Sequence, residues 1–185
     1  YYDPRYQDGF ALECRAVKKV REVMGLTNLK LMVPFCRTPE EARRVIAELQ
    51  RYGLRQGSEG LEVYGMCEIP ANALLAEDFL EVFDGFSIGS NDLTQLTLGV
   101  DRDSEIIANL FDERNRAVLI LIEKAIDAAQ KKHKKISICG QAPSDFPDFV
   151  TMLIRLRIDS ISVNPDALLK VRRLVAEMEE TSGDR

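Results

Sequence analysis

Tryptophan is absent from this 185-residue chain, and histidine occurs once. That histidine, His133, lies inside the run Lys131-Lys132-His133-Lys134-Lys135, a solvated setting that argues against a buried Ser-His-Asp or Cys-His catalytic unit. Cysteine is sparse as well. Cys14, Cys36, Cys67 and Cys139 show neither zinc-knuckle nor thioredoxin spacing, and disulfide frameworks belong to shorter, cysteine-dense secreted chains. Reduced thiols and a cytoplasmic location are expected. No apolar run approaches the roughly 18 residues of a membrane span, so no membrane partner is expected. Tyr1-Tyr2-Asp3-Pro4-Arg5 lacks the basic start and apolar core of a signal peptide. A basic excess is missing too. The 25 Lys and Arg against 30 Asp and Glu leave a net charge of −5, and residues 131–135 form the one dense basic cluster, which speaks against nucleic acid as a partner.

What the chain does have is 45% hydrophobic residues, enough for a sizeable core, and a length that suggests one domain over residues 1–185. Short apolar runs alternate with helical patterns. A leading helix is expected from about Gln7 to Met24. The first strand-like run is Leu29 to Phe35. Thr38-Pro39-Glu40-Glu41 then reads as an N-cap, a first-turn proline and acids suited to a helix N-terminus. Further strands are expected at Leu61 to Ile69, Gly85 to Gly89, Ile136 to Cys139 and Ser160 to Val163. Helices are expected over Ala71 to Phe83, Arg114 to Lys132 and Phe146 to Arg157, and a last one opened by Pro165. Gly89 to Asp92 reads as a turn, followed by an extended connection.

Five strand-then-helix units with apolar strands imply an α/β fold with a parallel sheet covered by helices. An open doubly wound sheet and part of an eight-stranded barrel both fit. No Gly-x-Gly-x-x-Gly follows the first strand, which weakens a dinucleotide-binding open sheet. In a (β/α)8 barrel the chemistry sits at the C-terminal ends of strands, where Glu68, Asn91, Asp92, Cys139 and Gln141 all fall. A barrel is therefore favoured, with three of its eight strands missing.

Three residues at those ends carry the chemical expectations. Glu68 is an acid at the end of an apolar strand, where burial is costly unless a cation or hydrogen bonds compensate. Asp92 follows Gly89-Ser90-Asn91, whose small residues and backbone N–H groups suit a close-approaching anion. Two acids on successive strands can share one hard cation such as magnesium. Cys139 precedes glycine and polar residues, and a thiol of ordinary pKa suits acid/base work near neutral pH. Cys14, Cys36 and Cys67 read as small core hydrophobes. Asp101-Arg102-Asp103 and Asp112-Glu113-Arg114 read as solvated ion pairs or braces of the long connection. Lys131 to Lys135 reads as a cationic helix end, with His133 exposed beside it.

These segments resemble the C-terminal part of the PEP-utilizing enzymes, the family of phosphoenolpyruvate synthase, pyruvate phosphate dikinase and enzyme I of the sugar phosphotransferase system. The resemblance is densest in Phe10 to Cys14, Met32 to Phe35, Cys67 to Pro70, Phe83 to Leu98, Leu110 to Asn115, Ile138 to Asp145 and Asp159 to Asp166. Phe86-Ser87-Ile88-Gly89-Ser90-Asn91-Asp92-Leu93-Thr94-Gln95 is its most specific stretch. Gln141-x-Pro143-Ser144-Asp145 is similar to the synthases, whereas dikinase and enzyme I usually have Gly-Glu there. Ala142 stands where the synthases usually have glycine.

The resemblance implies the last five β/α units of a (β/α)8 PEP/pyruvate barrel. It implies that Glu68 and Asp92 hold Mg2+, that Glu68, Gly89, Ser90, Asn91 and Asp92 bind substrate, and that Cys139 is the acid/base at the substrate's C3. The family reaction converts ATP, pyruvate and water to AMP, phosphoenolpyruvate and phosphate through a phosphohistidine, a gluconeogenic step. The implied partners are pyruvate or phosphoenolpyruvate and the phosphohistidine and ATP-grasp domains of a full-length enzyme, none of which His133 replaces. The resemblance puts the family's substrate-binding arginines on early barrel strands, and none of the arginines here matches them. The expected chain is a self-associating homo-oligomer that does not complete the overall reaction by itself. A related PEP-utilizing phosphotransferase or dikinase and a non-catalytic assembly module of the same fold are the alternatives.

Overall fold

Local signals set the helix boundaries. In the computed structural model, which describes residues 1–182, helix α2 (Pro39–Arg51) is capped by Thr38, whose Oγ1 accepts from the Glu41 amide at 3.1 Å. Pro39 occupies its first turn, where the missing N–H costs nothing. Helix α6 (Arg116–Lys131) is capped by Asn115, which accepts from the Ala117 amide at 2.9 Å. It buries Val118, Leu121, Ile122, Ala125, Ile126 and Ala129, a helical stripe. The remaining helices are α1 (Gln7–Lys18), continued by a π turn at Lys19–Val23, α3 (Pro70–Leu74), α4 (Ala76–Leu80), α5 (Ser90–Leu98), α7 (Ala142–Asp145), α8 (Pro147–Arg155) and α9 (Leu168–Ser182). Among the described residues no helix is long and apolar enough to cross a membrane.

Five strands alternate with these helices: β1 (Leu31–Val33), β2 (Val63–Cys67), β3 (Gly85–Gly89), β4 (Lys135–Cys139) and β5 (Ser160–Ile161). All pairings are parallel, and the spatial order β1-β2-β3-β4-β5 follows the chain. A doubly wound sheet would reverse strand order at a switch point. A sheet that never reverses is barrel-like, and the chain forms five successive units of a (β/α)8-type barrel. β1 and β5 are its two edges.

The two faces differ. Val33, Val63, Cys67, Phe86, Ile88, Ile136 and Ile138 are buried in one apolar core with α2, α4, α6 and α8. On the other face Met32 is 50% exposed, and Tyr64, Met66, Ser137 and Cys139 are only partly covered. That face is the barrel interior, open where further strands would close it.

Three expectations are corrected. The turn read at Gly89 to Asp92 is the N-terminal turn of helix α5, because serine, asparagine and aspartate favour helix starts as much as turns. The helix expected over Ala71 to Phe83 is two short helices, α3 and α4, with Leu75 out of helical geometry between them. Pro165 lies in a turn, and the last helix starts at Leu168.

Candidate active site at the C-terminal rim of the sheet

The rim is built from strand register. Gly89 pairs with Cys139, and the preceding pair on β2 and β3 is Cys67 with Ile88. Glu68, Gly89 and Cys139 thus form one row across three adjacent strands, facing the barrel interior. Strand spacing of about 4.8 Å puts the β2 and β4 backbones roughly 10 Å apart. Gly89 leaves room there: a Cβ on it would lie 2.9 Å from Met66 Cε and 3.0 Å from both Glu68 Cβ and Oε2, so these side chains would have to shift. Its bare backbone lets the Glu68 carboxylate lie across β3.

Glu68 is 3% exposed and held from two sides. Its Oε1 accepts from the Phe35 amide at 2.9 Å, a contact presented by a left-handed Phe35 (φ 54) after β1. Its own amide donates to Asn72 Oδ1 at 3.3 Å, which also accepts from Ile69 N at 3.0 Å, while Asn72 Nδ2 donates to the Cys36 carbonyl at 2.7 Å. Buried Asn72 therefore ties the loop after β1 to the end of β2. Burial, chiefly, and then the charge of Asp92 raise the Glu68 pKa, partly offset by the Phe35 amide. Asp92, in the first turn of α5, thus acts on Glu68 through space.

Cys139 is the half-buried thiol of the four; Cys14, Cys36 and Cys67 are buried in the core, as expected for small hydrophobes. Ser87 Oγ donates toward Cys139 Sγ at 3.9 Å. Burial raises the thiol's pKa most, Ser87 opposes it, and Glu68 and Asp92 add to the rise. The ordinary thiol assumed from sequence is thus corrected: this one is held in its protonated form. All three expected chemical groups share one end of the sheet and one electrostatic neighbourhood.

Sequence reasoning missed three other groups, Glu113, Arg102 and Asn72. Glu113, read as part of a solvated pair, is 4% exposed and accepts from Ser90 Oγ and the Ala142 amide. Asn91, with its amide nitrogen turned toward that carboxylate, donates to Glu113 Oε1 at 3.1 Å and accepts from Arg102 Nη1 at 3.1 Å. Arg102 is thereby a cation at the rim and not a partner of its neighbours Asp101 and Asp103. Asn72 is the third, signalled only as an asparagine in the first turn of α3. Gln141 accepts from Asn164 Nδ2 at 3.1 Å, joining the loops after β4 and β5. Ala142 opens α7 fully buried, outside the left-handed region, so a side chain is tolerated there. Among the described residues no group of three or more His, Cys, Asp or Glu side chains converges as a metal centre, leaving Glu68 and Asp92 as a carboxylate pair.

A barrel-type sheet with acids and a thiol at the C-terminal ends of its strands is the architecture of a (β/α)8 enzyme domain. Residues 3–180 match the family described as PEP-utilising enzyme, PEP-binding domain, and the chain belongs to it. It is 60% identical over 183 residues to a phosphoenolpyruvate synthase of Synechocystis sp., covering 99% of this chain and 22% of that protein. To the phosphoenolpyruvate synthase of Escherichia coli it is 55% identical over 180 residues, covering 97% of this chain and 23% of that protein. The chain thus spans little more than a fifth of the length of these relatives. A HpcH/HpaI aldolase/citrate lyase family protein from Burkholderia cenocepacia superimposes with a TM-score of 0.56 at 16% identity, covering 83% of this chain and 65% of that one, a likeness of fold alone.

Proposed function

We propose that this domain is the pyruvate- and PEP-binding portion of a phosphoenolpyruvate synthase, in which phosphoryl transfer joins a phosphohistidine and pyruvate. The observation that carries the reading is the row of Glu68, Gly89 and Cys139 with Asp92 beside it, at the end of the sheet where such barrels do their chemistry.

Glu68 and Asp92 would hold Mg2+. The donor set suits it: two carboxylates, one buried and raised in pKa by its own desolvation and by the other, leave coordination positions for water and substrate oxygens. Magnesium, when bound, supplies Lewis acidity toward the oxygens of pyruvate. In the direction of phosphoenolpyruvate formation Cys139, as thiolate, takes a proton from C3 of pyruvate, and in the reverse direction the thiol returns it to C3; its raised pKa favours the thiol and so the return step. Arg102, held by Asn91 at the rim, is the cation suited to the substrate's carboxylate or phosphoryl group. Gly89 and Asn91 shape the floor. The Ser90 hydroxyl is engaged internally, so Ser90 meets substrate only through its backbone.

The experiment is Cys139→Ser in a full-length synthase carrying this sequence. Exchange of pyruvate C3 protons with solvent deuterium should be lost while histidine phosphorylation by ATP persists. Wild-type exchange in that variant would remove Cys139 from the mechanism.

The phosphate carrier and the ATP site of the overall reaction would lie in other domains of the full-length protein, in the cytoplasm. The 185 residues alone are expected to self-associate through the β1 and β5 edges and the open interior face. Sedimentation of the purified chain checks this, and a monomer at micromolar concentration would contradict it.

A further inference from the structure

Glu113 is a buried carboxylate that the proposed mechanism does not use. It comes from the segment joining α5 to α6, just past a 3-10 turn at Ala108–Leu110, and the end of that segment is firmly seated. Arg114 chelates Asp112 at 3.0 Å and stacks on the Phe146 ring at 3.9 Å, and Asn115 caps α6. With both flanks pinned, the intervening Glu113 side chain turns inward.

There it meets three donors: Ser90 Oγ–H, the Asn91 amide nitrogen at 3.1 Å and the Ala142 backbone N–H. Two belong to the first turn of α5, which carries Asp92. The third belongs to α7, directly after β4 and Cys139. Ser90 Oγ also lies 3.0 Å from the Cys139 carbonyl, so the same hydroxyl touches the backbone of the thiol's own residue. Gly140 is shaped for this contact. It adopts φ +140, and a Cβ on it would overlap the Ser90 hydroxyl and approach Glu113 Oε1 to 3.0 Å. The charged groups that act on Glu113 through space are Arg102 and Asp145, of opposite sign.

We infer that Glu113 is a positioning residue: its carboxylate clamps the start of α5 to the turn after β4 and so fixes Asp92 relative to the Cys139 thiol. The inference rests on the proposed proton transfer at Cys139. A carboxylate presents only acceptors to these three donors. An amide at the same place has one acceptor oxygen instead of two and no negative charge, so it holds these donors less tightly with almost no change in volume.

The test uses full-length synthase carrying this sequence, comparing wild type, Glu113→Gln, Ser90→Ala, the double variant and Cys139→Ser. Pyruvate C3 proton exchange and ATP-dependent histidine phosphorylation are measured for each. Glu113→Gln should lower the exchange kcat by about 10- to 100-fold, as a misplaced catalytic group does, with KM for pyruvate little changed and histidine phosphorylation retained. Ser90→Ala should lower it in the same way. Because the two residues act as one unit, the double variant should be no slower than the slower single variant. Wild-type exchange in Glu113→Gln, or losses that multiply in the double variant, would overturn the clamp. If Glu113→Gln loses both partial reactions and is misfolded, Ser90→Ala decides, and wild-type exchange there overturns it. A dead Cys139→Ser beside an unaffected Glu113→Gln discards the clamp alone. Wild-type exchange in Cys139→Ser discards the proton-transfer reading and the clamp with it.

Discussion

The two ends of the sheet handle charge in opposite ways. At the N-terminal end, Lys30 pairs with Glu62 at 2.7 Å and Lys135 with Asp159 at 3.0 Å, around a cavity of about 450 Å³ that Tyr64 also lines. Tyr64 adds a hydrogen bond to Glu62 at 2.9 Å, and Asp159 accepts from Ile136 N at 2.8 Å. At the C-terminal end, among the described residues, none of Glu68, Asp92 and Glu113 has a lysine or arginine within ion-pair distance. Their acceptors face backbone amides, a hydroxyl and one another. One end neutralises its carboxylates with its own cations. The other leaves Glu68 and Asp92 without a paired cation, which costs stability and is the charge that the proposed magnesium would offset. The contrast parallels the general division of β/α barrels into a stability face and a catalytic face.

The sharpest way to break this comparison is to remove a charge from the unpaired end. In a full-length synthase carrying this sequence, Asp92→Asn should reduce phosphoenolpyruvate formation by roughly a thousand-fold or more, the loss of several kcal/mol of charge stabilisation. A coupled assay at saturating magnesium checks it, and a loss under ten-fold would place the chemistry elsewhere. A smaller effect of opposite sign is expected in stability. Glu68→Gln should stabilise the isolated chain by about 1 kcal/mol at pH 7 in the presence of chelator, because it removes an uncompensated buried charge. The sign follows from the raised pKa of Glu68. Its charge penalises the folded state above that raised value. Below the ordinary carboxylate range both folded and unfolded forms are protonated and the penalty disappears. Urea titrations from pH 7 down to pH 4 should therefore show the gain shrinking, and a gain constant across that range would reject ionisation as its cause. The smallest effect belongs to the other end. Lys135 is an exposed ion-pair partner, so Lys135→Ala should cost no more than about 0.5 kcal/mol and leave turnover unchanged.

Much of this contrast was legible in the chain. Thr38-Pro39 announced a helix start because capping depends on residues within one turn. The apolar runs that became β1 to β5 were visible because a strand buried under helices must be apolar along its length. Glu68, Asp92 and Cys139 could be placed at one end because each closes an apolar run. Glu113 was not legible. Its neighbours Asp112 and Arg114 do form the exposed pair that the local charge pattern suggested, and nothing in that pattern marks the middle residue as buried. Helix α5 was missed for a related reason: Ser-Asn-Asp serves a turn and a helix N-terminus equally well, and the choice falls to the packing of Leu93 and Thr94 beneath it.

The sequence by itself determined the alternation of strands and helices, their order, and the chemistry available at each strand end, because periodicity, capping and composition act over a few residues. The tertiary structure decided which of those groups meet. Asn72 reaches Cys36 across 36 residues, Glu68 meets Phe35 across 33, and Ser90 meets Glu113 across 23 and Cys139 across 49. Such contacts exist because parallel strands laid side by side bring their C-terminal ends to one rim. There, buried acids and donors must find partners wherever the fold provides them, whatever their separation in the chain.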